Sequence, residues 1–333
     1  MAERGQAAVA PEDKMPAPGA LRGAGARSPL FWKLMLVSMA LIWGYSFFVM
    51  KDIVATMPAF LLLVCRFIPA AIIMLVIFRK RVARCLDARH VGIGVAMGVV
   101  EWAAYALQTL GLVETTAGKN AFLTGTYCIL VPFIAFLISR EKLTRYNLGA
   151  AVLCLAGIGL VALDSLSINR GDLLTLAGAA FFALQIALVS KYGQDLDVNV
   201  MTFWMFVTVG MLSAVTSFAV EPAMPASAWT PSLVMALAFL AVFCTCVALL
   251  VQNLALAHVP PATGSLLLSL ESPSGVFFSV VFTGEVLTGR LLLGFALIFL
   301  SIVVSETKLA FLRRGGLGCA AGEAAEPAPD EAL

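Results

Sequence analysis

The sequence predicts an all-α integral membrane protein, with ten transmembrane helices in an inverted repeat of five plus five and a disordered cytoplasmic tail at each end. Three observations predict it. First, the 333-residue chain is 61% hydrophobic and 13% charged. A soluble domain averages about 45–50% apolar and about 25% charged residues, so folding this chain in water would leave almost no wettable surface. Second, ten apolar runs approach the length of a membrane crossing. Third, landmarks recur 144 residues apart: Gln108 with Gln252, Glu141 with Glu285, Leu123 with Leu267 and Phe133 with Phe277. Five crossings per copy is an odd number, so the second copy must enter the membrane upside down.

A bilayer core about 30 Å thick takes about 20 apolar residues at about 1.5 Å rise each. The first half, residues 31–165, offers Phe31–Met50, Ala59–Phe78, Val91–Leu110, Ala117–Ile138 and Leu148–Leu163. The second half, residues 171–306, offers Leu173–Val189, Val200–Val220, Leu233–Leu256, Ala262–Phe282 and Leu291–Val304. The fifth and tenth runs are short, and each follows a Glu-x-Leu-Thr sequence. None of the runs alternates in polarity as barrel strands do. Residues 1–30 and 307–333 hold the tails. The N-terminal one is rich in Ala, Pro and Gly and lacks the apolar stretch of a signal peptide; the C-terminal one begins basic.

Orientation follows from the basic residues, which stay on the cytoplasmic side. With both termini cytoplasmic, the inner segments, together with Lys33 at the inner end of the first span, hold 17 of the 22 Lys and Arg residues. The loop after the second span alone carries Arg79, Lys80, Arg81, Arg84 and Arg89. Glu141 then falls on the cytoplasmic side and Glu285 outside. Each stands near the start of a short helix, where the helix dipole favours a carboxylate.

Charges inside the spans are expensive and must face protein or a water-filled cavity. Arg66, Glu101, Lys119 and Glu271 are such charges. Glu101, Tyr105 and Gln108 share one face of the third span, and Asn120, Thr124 and Tyr127 repeat that spacing on the fourth. Thr245 and Gln252 share a face of the eighth, and Ser265, Ser269 and Ser272 make a stripe beside Glu271 on the ninth. These stripes predict a central polar cavity; helix–helix hydrogen bonding also accounts for the Ser and Thr residues. Trp43, Tyr45 and Trp102 are cavity aromatics or ordinary packing. Arg66 has no counterpart in the second half and reads as a snorkelling or internally paired residue. Lys119 lies at the outer mouth of the cavity, there either to attract an anionic or zwitterionic ligand or to anchor in the interface.

Only two histidines, His90 and His258, and seven scattered cysteines are present. No metal site and no cofactor is expected from them. Catalytic sets, phosphate-cradling loops, nucleic-acid motifs and the potassium-filter pattern are missing. The implied partners are a small-molecule substrate, the lipid bilayer and a second copy in a homodimer.

The chain resembles the EamA-type transporters of the drug/metabolite transporter superfamily over roughly residues 34–306. Leu41-Ile42-Trp43-Gly44-Tyr45-Ser46-Phe47 is similar to the family's Trp-Gly start, and Arg66-Phe67 to its second helix. Thr116-Ala117-Gly118-Lys119-Asn120-Ala121-Phe122-Leu123, followed by Pro132, resembles the entry to its fourth. Arg140-Glu141-Lys142-Leu143-Thr144 and Gly284-Glu285-Val286-Leu287-Thr288 resemble its signature, with Gly149 and Gly294 following. Glu271-Ser272-Pro273 departs from the family's adjacent Glu-Pro, and Lys119 is less typical. The resemblance implies a secondary transporter with a cavity lined by the first, third, fourth, sixth, eighth and ninth helices. The expected function is export of a small polar or amphipathic metabolite, amino acid-like or drug-like, by alternating access. Rivals are a proton-coupled antiporter using Glu101 or Glu271, a non-transporting sensor or scaffold, and a membrane-embedded enzyme. The tails are too short for an output domain and the missing catalytic set argues against the enzyme.

Overall fold

A computed structural model describes residues 28–139, 145–162, 169–259, 261–284 and 288–307. Residues 1–27 and 308–333 of the expected tails and the signature residues Glu141 and Glu285 lie outside the described residues; residues 29 and 30, expected in the tail, are instead the first turn of a helix capped by Ser28. Among the described residues every long element is helical. In chain order they are α1 (Pro29–Val54), α2 (Ala59–Arg84), α3 (Ala88–Glu114), α4 (Ala117–Thr124), α5 (Tyr127–Ser139), α6 (Arg145–Ala162), α7 (Arg170–Tyr192), α8 (Val198–Val220), α9 (Pro231–Phe239), α10 (Ala248–Leu256), α11 (Pro261–Leu268), α12 (Glu271–Thr283) and α13 (Gly289–Thr307). Among the described residues, seven continuous or near-continuous segments are long and apolar enough to cross a membrane: α1, α2, α3, α4 with α5, α7, α8, and the stretch Pro231–Leu256.

Burial is inverted relative to a water-soluble protein. Phe218 is 94% exposed and Leu137 and Met235 about three-quarters exposed, whereas Arg66, Glu101, Asn120 and Thr202 are buried. Apolar side chains outside and polar ones inside suit a chain solvated by lipid.

The helices run further than the apolar runs suggest, because capping residues start them early. Ser28, Asp87, Thr116, Asp197 and Thr230 each accept a backbone N–H at a helix start. Asn169 and Asp172 form a reciprocal capping box at the start of α7. The expected sixth span, Leu173–Val189, therefore begins three residues too late.

Three spans expected to be regular are not. The fourth breaks at Gly125-Thr126 and the ninth at Ser269-Leu270. Gly125 and Ser269 are again 144 residues apart. The eighth contains a π-helical segment, Leu240–Val247, between α9 and α10. A wide turn of that kind leaves carbonyls free for side chains, and the Trp43 indole donates to the Cys244 carbonyl at 2.7 Å.

The helices approach one another over small residues. A Cβ added at Gly98 of α3 would come within 2.4 Å of Thr208 Cβ on α8. One at Gly44 of α1 would meet Ser274 Cβ on α12 at the same distance. Such contacts replace the hydrophobic drive that lipid removes. They place α3 between α7 and α8, and α12 between α1 and α4.

Candidate functional site: a charged cavity between the two halves

The cavity is built from helix faces. Trp43, Ser46, Phe47 and Met50 follow helical spacing on α1, as do Glu101, Tyr105 and Gln108 on α3 and Phe182, Gln185 and Ile186 on α7. Arg66 enters from α2, Thr124 and Tyr127 flank the break between α4 and α5, Leu249 and Gln252 come from α10, and Glu271 opens α12. The space measures about 470 Å³ counting its open mouth.

Arg66 is 1% exposed, so it does not snorkel. Its Nε donates to Thr245 Oγ1 at 3.0 Å, from the π-helical segment, and one Nη reaches the Met50 sulfur at 3.1 Å. Its guanidinium carbon lies 4.7 Å from the Tyr105 ring centroid, a cation–π arrangement. Among the described residues it forms no ion pair. Glu101 is equally buried, and neither of its carboxylate oxygens has a hydrogen-bond partner. Oε1 of Glu271 is also without one, while the Tyr127 hydroxyl lies beside that carboxylate. One cation and two carboxylates thus face a single cavity.

Amides complete the polar wall. Gln108 donates to Thr124 Oγ1 at 3.1 Å. Gln185 donates to Asn253 Oδ1 at 3.2 Å, and Asn253 to Thr202 Oγ1 at 3.0 Å. Gln252 donates to Gln185 Oε1 at 3.4 Å. These bonds tie α3 to α4 and α7 to α10 and α8, so the wall is held from behind.

Of the residues singled out from sequence, Trp43, Glu101, Tyr105, Gln108, Thr124, Tyr127, Gln252 and Glu271 line the cavity. Three candidates stand elsewhere. Tyr45 is about 200° around α1 from Trp43 at about 100° per residue, and packs against Phe48, Phe239, Phe278 and Phe282. Asn120 is fully buried and donates to the Gln108 carbonyl and to Thr175 Oγ1, a tie between α3, α4 and α7. The break at Gly125 also ends the stripe that would have carried Asn120 with Tyr127.

Lys119 stands apart from the cavity, contrary to its expected ligand-attracting role. Its ammonium pairs with Asp172 at 2.7 Å, and its side chain is 16% exposed. Asp172 also accepts from Thr115 Oγ1 at 3.1 Å and from the Asn169 backbone at 3.2 Å. The signal for Asp172 was the Asn169-x-x-Asp172 capping pattern. Beside it, the Lys51 ammonium donates to the carbonyls of Leu112, Val113 and Thr115, closing the end of α3.

Sequence reasoning passed over Gln185 and underrated Arg66. A lone glutamine in the apolar run of α7 was the signal for the first. Arg66 was discounted because the second half has no counterpart. Pro132 sits within α5 and Pro273 within the first turn of α12, neither among the cavity residues.

An EamA-like transporter family model matches residues 30–163 and again residues 169–307. An uncharacterized transporter of Archaeoglobus fulgidus is 30% identical over 282 residues, covering 85% of this chain and 88% of that protein. The uncharacterized transporter YoaV of Bacillus subtilis is 25% identical over 252 residues, 74% of this chain and 86% of its own. A solved structure described only as "Crystal structure of protein" superposes with a TM-score of 0.64 at 16% identity, covering 86% of this chain and 99% of that one. It speaks for the fold alone. The family match spans nearly the whole helical region, and its members are membrane transporters of small molecules rather than enzymes. This chain belongs to the EamA-like transporter family, within the drug/metabolite transporter superfamily.

Proposed function

We propose that this chain exports a small polar or amphipathic metabolite across the cytoplasmic membrane by alternating access. In this reading ten crossings form two inverted five-helix halves, residues 31–165 and 171–306, that rock about the cavity, with both termini cytoplasmic. The chain acts alone or as a homodimer. One observation carries the reading: the cavity takes Glu101, Gln108 and Tyr127 from the first half and Gln185, Gln252 and Glu271 from the second. A site shared between repeats is where rocking opens and closes access.

Helix pairing supports a two-fold relation between the halves. α2 packs on α8 and α6 on α13, each pair being the same span of the two halves. α1 packs on α11 and α12, and the reciprocal contact joins α7 to α4 and α5. α3 packs on α7, and its reciprocal joins α10 to α1. A two-fold relation produces this pattern.

A second reading is proton coupling at Glu101 or Glu271. The orphaned carboxylate oxygens favour it, because a group without a fixed partner can exchange its proton with the cavity. The test of the main reading compares intracellular and extracellular metabolites of cells with and without the gene. Export predicts one or more compounds retained in cells lacking it. Unchanged pools, with the chain present in the membrane of the control cells, would sink it. Collapsing the pH gradient in everted vesicles then separates the second reading, which requires transport to stop.

A further inference from the structure

We infer, resting on the transport reading and the orientation proposed above, that Lys119 and Asp172 form the latch of the outer gate: their ion pair holds the external ends of α4 and α7 together, and it must open each time cargo leaves. The pair crosses from the first half to the second, and both side chains are largely withdrawn from solvent. Lys119 stands five residues before Thr124 on α4, about 7.5 Å along the axis. Asp172 stands ten residues before Phe182 on α7, about 15 Å along it. Thr124 and Phe182 line the cavity, so the pair lies beyond the cavity on the outer side of both helices. A second tie lies directly beneath. Asn120 and Thr175 are fully buried, and the Asn120 amide donates to Thr175 Oγ1 at 2.7 Å. Two polar layers therefore seal α4 against α7.

The matching seam at the cytoplasmic face has neither layer. Asn169 caps α7 and Ser28 caps α1, 141 residues apart. Ala117 opens α4 and Pro261 opens α11, 144 residues apart. With those starts aligned, Lys119 and Asp172 correspond to Thr263 and Phe31, and Asn120 and Thr175 to Gly264 and Leu34. Thr263 with Phe31 cannot make an ion pair, and Gly264 with Leu34 has no polar side-chain atom. On this side the Trp32 ring of α1 stacks on His258, just past α10, with centroids 4.7 Å apart. Parting such a stack costs less than separating a buried ion pair. The inner seam thus yields before the outer one, and the chain rests closed to the outside, placed to load cargo from the cytoplasm.

A different seam between the halves is tied at both faces. The Glu221 carboxylate, at the end of α8, accepts the backbone N–H groups of Phe60 and Leu61 on α2 at 2.7 and 2.9 Å. At the other end of the same two helices Arg81 meets Asp197 at 3.2 Å. α2 and α8 therefore stay together while α4 and α7 part, and the motion turns about them.

The test uses the purified full chain in proteoliposomes loaded with a cell extract, the released compounds being read by mass spectrometry. In the variant Lys119→Cys with Asp172→Cys, a short reducible bis-thiosulfonate bridges the two introduced thiols across the gate. Bridging should cut release by about tenfold or more, and reduction should restore it, which a misfolded chain cannot do. The same reagent on the wild-type chain is the control and should change nothing. Release that continues unaltered across the bridge would overturn the latch and leave transport standing. No release by the untreated wild-type chain would remove the transport reading and the latch with it.

A second measurement needs no cargo, and it decides if the doubly substituted chain is inactive before bridging. Ser46 lines the cavity on α1, so Ser46→Cys in intact cells reports how fast an impermeant maleimide enters from outside. Adding Lys119→Met with Asp172→Asn should speed that labelling about tenfold, and adding Arg81→Met should not. Equal rates in all three chains, or the same rise in both variants, would overturn the latch.

Discussion

Tyr127 and Glu271 stand 144 residues apart, each opens the helix that follows a break, and in the folded chain the Tyr127 hydroxyl lies beside the Glu271 carboxylate. Positions 144 residues apart therefore meet at one point inside the cavity. Under the two-fold relation proposed above, two equivalent points come together only on the axis, which would place the axis at this contact. The contact is itself asymmetric: a phenol on one side, a carboxylate on the other.

That pair should be energetically coupled. Tyr127→Phe and Glu271→Gln each remove one partner, and the double variant removes both. A double-mutant cycle read by thermal unfolding in detergent should give a coupling of about 1 kcal/mol, the usual net value of a buried hydrogen bond. Strict additivity would mean that the two groups do not touch.

The α3–α8 seam should tolerate no side chain at Gly98. Gly98→Val places carbon atoms where Thr208 and the Met205 carbonyl already are. Overpacking of this kind costs about 1–3 kcal/mol, so the unfolding midpoint should fall by several degrees. Gly149→Ala on α6, where no atom lies within 4 Å of the added carbon, is the control and should be silent. Equal midpoints for both variants would contradict the close approach.

The Lys119–Asp172 pair joins α4 of the first half to the start of α7 in the second. Their side chains are 16% and 2% exposed. Lys119→Met leaves a buried carboxylate without its cation, and breaking a buried pair costs about 3–5 kcal/mol. Lys119→Met with Asp172→Asn should recover much of that loss. If the double variant is less stable than Lys119→Met by the full cost of Asp172→Asn alone, the two side chains act independently.

Asp197 caps α8 and holds Arg81 of α2 at 3.2 Å. Burial by itself pushes this carboxyl up, but hydrogen bonds from the Asn199 side chain and backbone and the nearby Arg81 outweigh it and hold the group below its usual value. A depressed carboxyl stabilises the fold above its unfolded value of about 3.9, and that stability is lost as pH falls through the lower folded value. The midpoint difference between wild type and Asp197→Ala should be constant from pH 7 to 5 and shrink below about pH 4. A gap that widens in acid would reverse the sign of the argument.

Topology is open to direct labelling. A cysteine at Ala226, before α9, should react with an impermeant thiol reagent on intact cells, and one at Ala83, near the end of α2, should not. The opposite pattern would invert the proposed orientation.

The helices and half of the cavity wall were legible because apolar length and polar stripes follow fixed periods. Glu101, Tyr105 and Gln108 could be placed on one face from spacing alone. The breaks at Gly125 and Ser269 were hidden because the polar residues beside them, Thr124 and Tyr127 at one and Ser269, Glu271 and Ser272 at the other, fit the spacing of one continuous helix and read as cavity stripes rather than as helix ends. The π-helical segment was hidden too: Leu240–Val247 is apolar except for Thr245, and the Trp43 and Arg66 side chains that dock on it become visible only in the fold. Asp172 was misplaced because hydropathy marks where apolar residues start, whereas the helix starts at its cap.

The outward-facing apolar residues have a thermodynamic consequence. Phe218, Met235 and Leu137 already face lipid when the chain is folded. Pulling the helices apart within the bilayer exposes more apolar surface to acyl chains, not to water. The positive heat-capacity change of ordinary unfolding comes from hydrating such surface. Without that term the stability curve of this protein in a membrane should be nearly straight against temperature. Cooling would then bring no approach to cold denaturation, and the resistance to heat would rest on the glycine seams and the buried polar ties.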